Sequence, residues 1–222
     1  MESSMKTGFK AALFDLDGTL LYTLEDLADS LNYVLSQEGL PTHVSDEYRL
    51  MVGDGLEALV VRSLPEGLRI PAHVRPILRA FSERYRQNQC LKTRPYPGVA
   101  EMLAGLKAKG VRLAILSNKA HLNTVEVVEH FFPRVFQAVL GMRPDVPAKP
   151  DPAGALEIAG SFSLKPEQCL YLGDSDVDMK TAVAAGMYPV GVSWGYRAVR
   201  ELQKAGAAEI INSPEELQGM II

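Results

Sequence analysis

The sequence predicts an α/β protein with a doubly wound parallel sheet and a small all-helical domain inserted after the first strand. Three observations lead to this prediction. A short apolar run near the N-terminus is followed by a stretch with only helical periodicity. From Val99 onward, apolar runs of strand length alternate with helical segments. Strands that alternate with helices form parallel sheets covered on both faces.

The composition is that of an ordinary globular chain. Its 222 residues are 47% hydrophobic and 23% charged, which suits one large domain or two modest ones. A net charge of -4 gives no electrostatic reason to expect binding to nucleic acid or to acidic lipid. No apolar run approaches the ~18 residues of a membrane span. Two distant cysteines, Cys90 and Cys169, favour a reducing compartment, so we expect a cytoplasmic protein.

The first predicted strand covers residues 11–14 and follows a short polar tail, residues 1–8, that has no apolar signal-peptide core. It ends in Asp15-Leu16-Asp17-Gly18-Thr19. Residues i and i+2 of an extended chain point the same way, so both carboxylates can reach one small volume. Close acids repel unless a cation or a shared proton relieves them, and a hard divalent ion suits oxygen ligands. A turn with solvated acids is the alternative.

Residues 22–39 carry apolar side chains at helical spacing, with Thr23 placed to cap the start and Gly39 to end it. Further helices are expected near residue 45 and over residues 55–64 and 71–88. No strand is predicted between residues 22 and 93.

A stiff segment, Arg94-Pro95-Tyr96-Pro97-Gly98, leaves the helical block. We therefore assign residues 22–94 to the inserted domain and residues 1–21 and 95–222 to the α/β domain.

Elements of the second half are predicted from the same periodicities. Strands are expected over residues 111–116, 135–140, 169–172, 188–192 and 210–211, and helices over 99–109, 122–131, 152–160 and 179–185, with a short helix from residue 214.

Polar residues follow three of the predicted strands: Asp15 and Asp17, then Ser117 and Asn118, then Asp174. Ligands of open α/β sheets bind beyond the carboxyl ends of the strands, so we expect one site there.

Four segments must be weighed as possible sites of chemistry. Lys149 is held between prolines, where a lysine can neutralise anionic oxygens, although most loop lysines are simply solvated. Ser117 can hold phosphate oxygens or cap a helix. Three carboxylates, including Asp174 and Asp178, crowd one predicted helix start, more than a capping box needs. Gly53-Asp54-Gly55-Leu56-Glu57-Ala58 matches a loose dinucleotide pattern but lacks flanking parallel strands.

Four segments in chain order resemble the signatures of the haloacid dehalogenase-like hydrolase superfamily. They are Asp15-Leu16-Asp17-Gly18-Thr19-Leu20, Ser117-Asn118, Lys149-Pro150-Asp151-Pro152 and Gly173-Asp174-Ser175-Asp176-Val177-Asp178. Within it, Val52-Gly53-Asp54-Gly55 and Ser193-Trp194-Gly195-Tyr196 look like the phosphoglycolate phosphatases. One departure is Tyr22-Thr23, where many relatives carry Asp-Ser or Asp-Thr.

The resemblance implies a Mg²⁺-dependent phosphatase with a mobile helical cap, which hydrolyses a small phosphomonoester such as 2-phosphoglycolate through an aspartyl-phosphate. It implies that Asp15 is the nucleophile and Asp17 the general acid/base. Ser117 and Lys149 are the other implied catalytic residues. The implied substrate contacts are Thr19, Ser117, Asn118, Gly53 and Lys149, the implied metal ligands are Asp15, Asp174 and the Asp17 carbonyl, and Asp178 supports the site.

Several alternatives stay open at the level of the sequence. A phosphomutase of the β-phosphoglucomutase type, a pyrophosphatase or a nucleotidase would share this core. A non-catalytic binding module would be expected to lack a core residue, whereas Asp15, Asp17, Lys149 and Asp174 are all present. The expected partner is a small phosphorylated metabolite, with neither nucleic acid nor membrane, and the expected state is a monomer or homodimer.

Overall fold

The computed structural model describes residues 8–221, so the polar tail expected over residues 1–8 lies outside the described residues except for Gly8. Strands, numbered in chain order, are β1 (Ala11–Phe14), β2 (Leu21–Tyr22), β3 (Arg94–Pro95), β4 (Arg112–Ala120), β5 (Ala138–Met142), β6 (Cys169–Gly173), β7 (Tyr188–Val192) and β8 (Glu209–Ile211).

The α-helices are α1 (Leu24–Gln37), α2 (Leu56–Ser63), α3 (Pro71–Asn88), α4 (Val99–Ala108), α5 (His121–Phe131), α6 (Ala153–Ser161), α7 (Asp176–Ala185), α8 (Val199–Lys204) and α9 (Glu216–Met220). Short 3-10 helices cover Ser45–Leu50, Glu66–Leu68 and Pro166–Gln168. None of the helices within residues 8–221 is both long and apolar enough to cross a bilayer.

Six parallel strands form the main sheet in the order β5-β4-β1-β6-β7-β8. The last residue of β1, Phe14, pairs with Ile115 of β4 on one side and Leu172 of β6 on the other. The carboxyl ends of these three strands therefore lie side by side at one edge of the sheet. The predicted fold class is confirmed.

Alternate residues of β1 pack into two different apolar cores because side chains along a strand point to opposite faces. Ala12 and Phe14 join the core made with α4, α5 and α9, whereas Ala11 and Leu13 join the core made with α6 and α7. Burial on both faces explains why this strand is continuously apolar rather than alternating.

The helical block has an apolar core of its own. Side chains from α1, α2 and α3 fill it, including Leu31, Leu59 and Phe81, and the buried rings of Tyr48 and Tyr85 complete it. The two chain segments that connect this block to the sheet pair with each other as the antiparallel strands β2 and β3.

The main differences between the structure and the sequence predictions concern five features. The ribbon of β2 and β3 and the helix α8 were not predicted, and the helix expected near residue 45 is a 3-10 helix. Strand β4 continues past Leu116 to Ala120, after a register shift against β5. Thr23 precedes α1 but makes no capping hydrogen bond, so that prediction is wrong; its hydroxyl meets the Tyr196 hydroxyl at 3.1 Å.

Candidate active site

A pocket opens where the carboxyl ends of β1, β4 and β6 meet the helical block, and it encloses a cavity of about 60 Å³. The sheet side contributes charged and polar side chains, while α2 and the loop before it contribute apolar surface. The sheet-side lining includes Asp15, Asp17, Ser117, Asn118, Lys119, Lys149, Asp174 and Asp178, and the helical block adds Gly53, Leu56 and Leu59.

Lys149 connects two buried carboxylates. Its Nζ donates to Asp15 Oδ1 and to Asp178 Oδ1, each at 2.7 Å. Burial raises the pKa of Asp15 well above its usual value, although Lys149 works against this shift. Burial lowers the pKa of Lys149, but the two neighbouring acids outweigh it and raise that pKa overall. The lysine therefore stays charged beside Asp15.

Both carboxylate oxygens of Asp178 accept hydrogen bonds that fix the orientation of the side chain. Its Oδ2 accepts hydrogen bonds from the Ser175 amide at 3.1 Å and the Ser175 hydroxyl at 2.5 Å. The Ser175 hydroxyl in turn accepts from the Asp178 amide, which completes a capping box at the start of α7. A local helix cap thus orients the second carboxylate that holds Lys149.

Asp174 is enclosed by backbone. Its Oδ2 accepts from the Tyr196 amide at 2.6 Å, and its Oδ1 accepts from the Thr19 hydroxyl at 3.3 Å. A Cβ on Gly18 would lie 2.4 Å from Asp174 Oδ2, and one on Gly195 would lie 2.1 Å from Asp174 Cβ. Burial, with Asp178 nearby, raises the pKa of Asp174 to about 7.

Asp15, Asp174 and Asp178 form a compact carboxylate cluster. One oxygen from each lies within 4.8 Å of the others, and all three residues are buried. Burial raises the pKa of both Asp15 and Asp174, and repulsion from the neighbouring carboxylates adds to this shift. An oxygen-only donor set of this kind fits a hard divalent cation.

Asp17 occupies a different part of the pocket. Its side chain is 21% exposed, and Oδ1 lies 3.4 Å from the Nζ of Lys119. Its carboxyl is not part of the three-carboxylate cluster, so it is available to a bound molecule.

The structure places the predicted substrate contacts as follows. Ser117 lines the pocket, and its hydroxyl accepts from the Lys119 amide at 3.1 Å. The amide of Asn118 is used within the protein: Oδ1 accepts from the Lys149 backbone, and Nδ2 donates to the carbonyls of Lys149 and Gly53. Thr19 is 1% exposed and contacts Asp174. Substrate contact by these residues stays a prediction.

Sequence reasoning missed two residues at the pocket, Lys119 and Arg197. Lys119 directly follows Ser117 and Asn118, and a lysine at the end of an otherwise apolar strand was the available signal. Tyr196 and Arg197 lie in the loop after β7, and both line the pocket. Arg197 donates to the carbonyls of Arg49 and Val52, which joins this loop to the helical block.

Comparisons with known proteins agree with this geometry. The family model for haloacid dehalogenase-like hydrolases matches residues 12–192. A curated phosphoglycolate phosphatase of Haemophilus influenzae is 35% identical over 86% of this chain and 89% of its own length. Another, of Mesorhizobium japonicum, is 36% identical over 86% of each chain.

A solved structure from Lactobacillus delbrueckii subsp. bulgaricus, provisionally assigned as a phosphoglycolate phosphatase, superposes with a TM-score of 0.92 at 32% identity. It covers 97% of this chain and 99% of its own. The residues that match the family model include the inserted helices and all four signature segments, and they end with β7. The chain belongs to the haloacid dehalogenase-like hydrolase family, among its phosphatases.

Proposed function

We propose that this enzyme hydrolyses a small phosphomonoester, with 2-phosphoglycolate as the best candidate, by transferring the phosphoryl group to Asp15 and then to water. The observation that carries the proposal is the 2.7 Å contact between Lys149 Nζ and Asp15 at the bottom of a small pocket. A carboxylate can attack phosphorus only where positive charge offsets the phosphate. The curated relatives named phosphoglycolate phosphatase support the choice of substrate.

Asp17 acts as the general acid and base in this proposal. Its carboxyl is two residues from the nucleophile, faces the pocket and lies outside the carboxylate cluster. It protonates the leaving oxygen in the first step and takes a proton from the attacking water in the second. Ser117, with its hydroxyl at the pocket wall, orients the phosphoryl oxygens.

The donor set favours Mg²⁺ as the cofactor. Asp15 and Asp174 would hold the ion by their carboxylates, and Asp17 would hold it by its carbonyl oxygen, which leaves the Asp17 carboxyl free. When bound, the ion supplies positive charge that reduces repulsion between the nucleophile and the phosphate. Asp178 orients Lys149 from the other side of the cluster.

Residues 22–94 serve as a cap in this proposal. The loop from Gly53 to Gly55 and the start of α2 cover the pocket opposite the strand ends. Closure of such a cap excludes bulk water and limits the size of the leaving group. The small cavity is the reason to expect a small phosphorylated metabolite.

A panel of phosphorylated metabolites with Mg²⁺ tests the proposal, with released phosphate and isomerised sugar phosphate measured in the same reactions. We expect phosphate release, highest for 2-phosphoglycolate. Isomerisation would instead indicate a phosphomutase, and release of phosphate from diphosphates or nucleotides would indicate a pyrophosphatase or a nucleotidase.

Asp15→Asn should abolish turnover and keep the fold, whereas Asp176→Asn, at an exposed ion pair with Lys180, should keep turnover. Substantial activity of Asp15→Asn would contradict its role.

A further inference from the structure

Lys119 is a buried cation that the proposed chemistry leaves without a role. Its side chain is 3% exposed, and it lines the pocket beside Asp17. A buried ammonium is costly unless it is paired, so a lysine here needs an explanation.

The contacts of Lys119 within residues 8–221 leave donor capacity unused. An ammonium has three donors. One points to the Tyr85 hydroxyl at 2.5 Å, and another is 3.4 Å from Asp17 Oδ1, which is long for a charge-assisted hydrogen bond. The Tyr85 ring also lies under the ammonium, 4.4 Å from Nζ to its centroid.

Tyr85 does not neutralise this charge. Burial, with Asp17 and Asp26 nearby, raises the pKa of the Tyr85 hydroxyl well above its usual value, so the phenol stays neutral. Asp17 is the nearest carboxylate, but its side chain is partly exposed to the pocket. The ammonium is therefore held in a fixed place by α3 with its charge only partly balanced.

The other cations of the described pocket lining are already engaged. Lys149 pairs with Asp15 and Asp178, and Arg197 donates to two backbone carbonyls of the helical block. Lys119 remains as the cation that can accept a second anionic group from a bound molecule.

The position of Lys119 determines which part of the bound molecule carries that anionic group. Asp17 meets the leaving oxygen in the proposed reaction, and Lys119 Nζ lies 3.4 Å from Asp17 Oδ1. A charged group near Nζ is thus on the leaving alcohol, a short distance beyond the ester oxygen.

We propose that Lys119 is a specificity-determining residue that binds a carboxylate on the leaving alcohol of the substrate. This inference rests on the proposed phosphatase reaction and deepens it. In this role Lys119 selects phosphomonoesters of short hydroxy acids, the class that includes the proposed substrate 2-phosphoglycolate. Tyr85 holds the ammonium in position from the cap, so the recognition site is complete only when cap and sheet are together.

The test compares 2-phosphoglycolate with 2-hydroxyethyl phosphate, in which a neutral hydroxymethyl group replaces the carboxylate. The readout is the ratio of kcat/KM for the two esters with Mg²⁺. Lys119→Met should lower this ratio about 30-fold or more, because one partner of a desolvated charge pair is removed. Lys180→Met removes an exposed lysine that pairs with Asp176 outside the pocket, and it should keep the ratio within about threefold. Thermal unfolding checks that both variants fold.

An equal loss for both esters in Lys119→Met would overturn the inference, since Lys119 would then act on the shared chemistry through Asp17. No change in the ratio would overturn it as well. If the unmodified enzyme releases phosphate from neither ester, 2-phosphoglycolate is rejected as its substrate, and a binding measurement decides the role of Lys119. In the Asp15→Asn background, Lys119→Met should weaken calorimetric binding of 2-phosphoglycolate about 30-fold relative to the neutral ester. Equal weakening of both would reject carboxylate recognition.

Discussion

The amide of Tyr196 donates a 2.6 Å hydrogen bond to Asp174, and the hydroxyl of the same tyrosine reaches Thr23 at the start of the helical block. That hydroxyl accepts from the Thr23 amide at 3.0 Å and meets the Thr23 side chain at 3.1 Å. Through its backbone amide and its side chain, Tyr196 therefore joins a carboxylate of the cluster to the connection between the sheet and the helical block.

Tyr196→Phe should destabilise the protein while leaving the amide contact to Asp174 in place. The buried amide and hydroxyl of Thr23 would lose their partner, which costs about 1–3 kcal/mol in unfolding free energy. Denaturant unfolding measures it. Tyr33→Phe is the matched control because Tyr33 is 47% exposed. Equal stability of the two variants would show that the Thr23 contact contributes nothing.

Gly195→Ala should impair the site through crowding. The added Cβ would lie 2.1 Å from Asp174 Cβ, so either the loop or the carboxylate must move. We expect a loss of roughly 1–3 kcal/mol in stability and at least a tenfold loss of phosphatase activity. Gly219→Ala in α9 is the control, since a Cβ there meets nothing within 4 Å and alanine favours a helix. Normal activity of Gly195→Ala would contradict the steric argument.

The sequence was sufficient to predict the sheet and the charged strand ends. Apolar runs such as residues 11–14 are too short for helices and therefore indicate strands. Burying unpaired acids at the end of such a strand is costly, so the acids that follow it indicate a functional site. Parallel strands bring these ends together whatever the intervening chain does, which is why Asp15 and Asp174 could be paired in advance.

Residues whose roles depend on contacts across domains could not be predicted. Tyr85 meets Lys119 only after α3 has packed against the sheet domain, and the Thr23–Tyr196 pair spans 173 positions of the chain. Threonine is a common helix-capping residue, but the side chain of Thr23 contacts the distant Tyr196 instead of capping α1. The extension of β4 likewise depends on its pairing with β5.

Mg²⁺ should stabilise the protein more at pH 8 than at pH 5. In the metal-free protein, burial raises the pKa of Asp174 from 3.8 to about 7, so between these values the folded state binds more protons than the unfolded state. Stability should therefore fall as pH rises from about 4 to 7, and a bound cation offsets that loss. Thermal unfolding with MgCl₂ or EDTA at each pH measures the effect.

Asp176→Asn should keep the Mg²⁺-dependent rise in Tm, because Asp176 lies outside the carboxylate cluster and pairs with Lys180. Asp174→Asn should lose most of it. A rise in Tm that is the same at both pH values, or that survives in Asp174→Asn, would place the cation elsewhere.

Lys149→Met should cost far more stability than the same change at an exposed ion pair. Lys149 is 4% exposed and holds two buried carboxylates, so its removal leaves Asp15 and Asp178 without their cation. Breaking a buried pair in this way costs about 3–5 kcal/mol. Lys180→Met removes the exposed partner of Asp176 and should cost less than about 1 kcal/mol.

Denaturant unfolding in EDTA at pH 8 compares the two variants without metal. The gap between them should narrow at pH 5, where Asp15 takes up a proton readily because its pKa is raised by burial. Equal costs at pH 8 would mean that the cluster is stabilised by something other than Lys149.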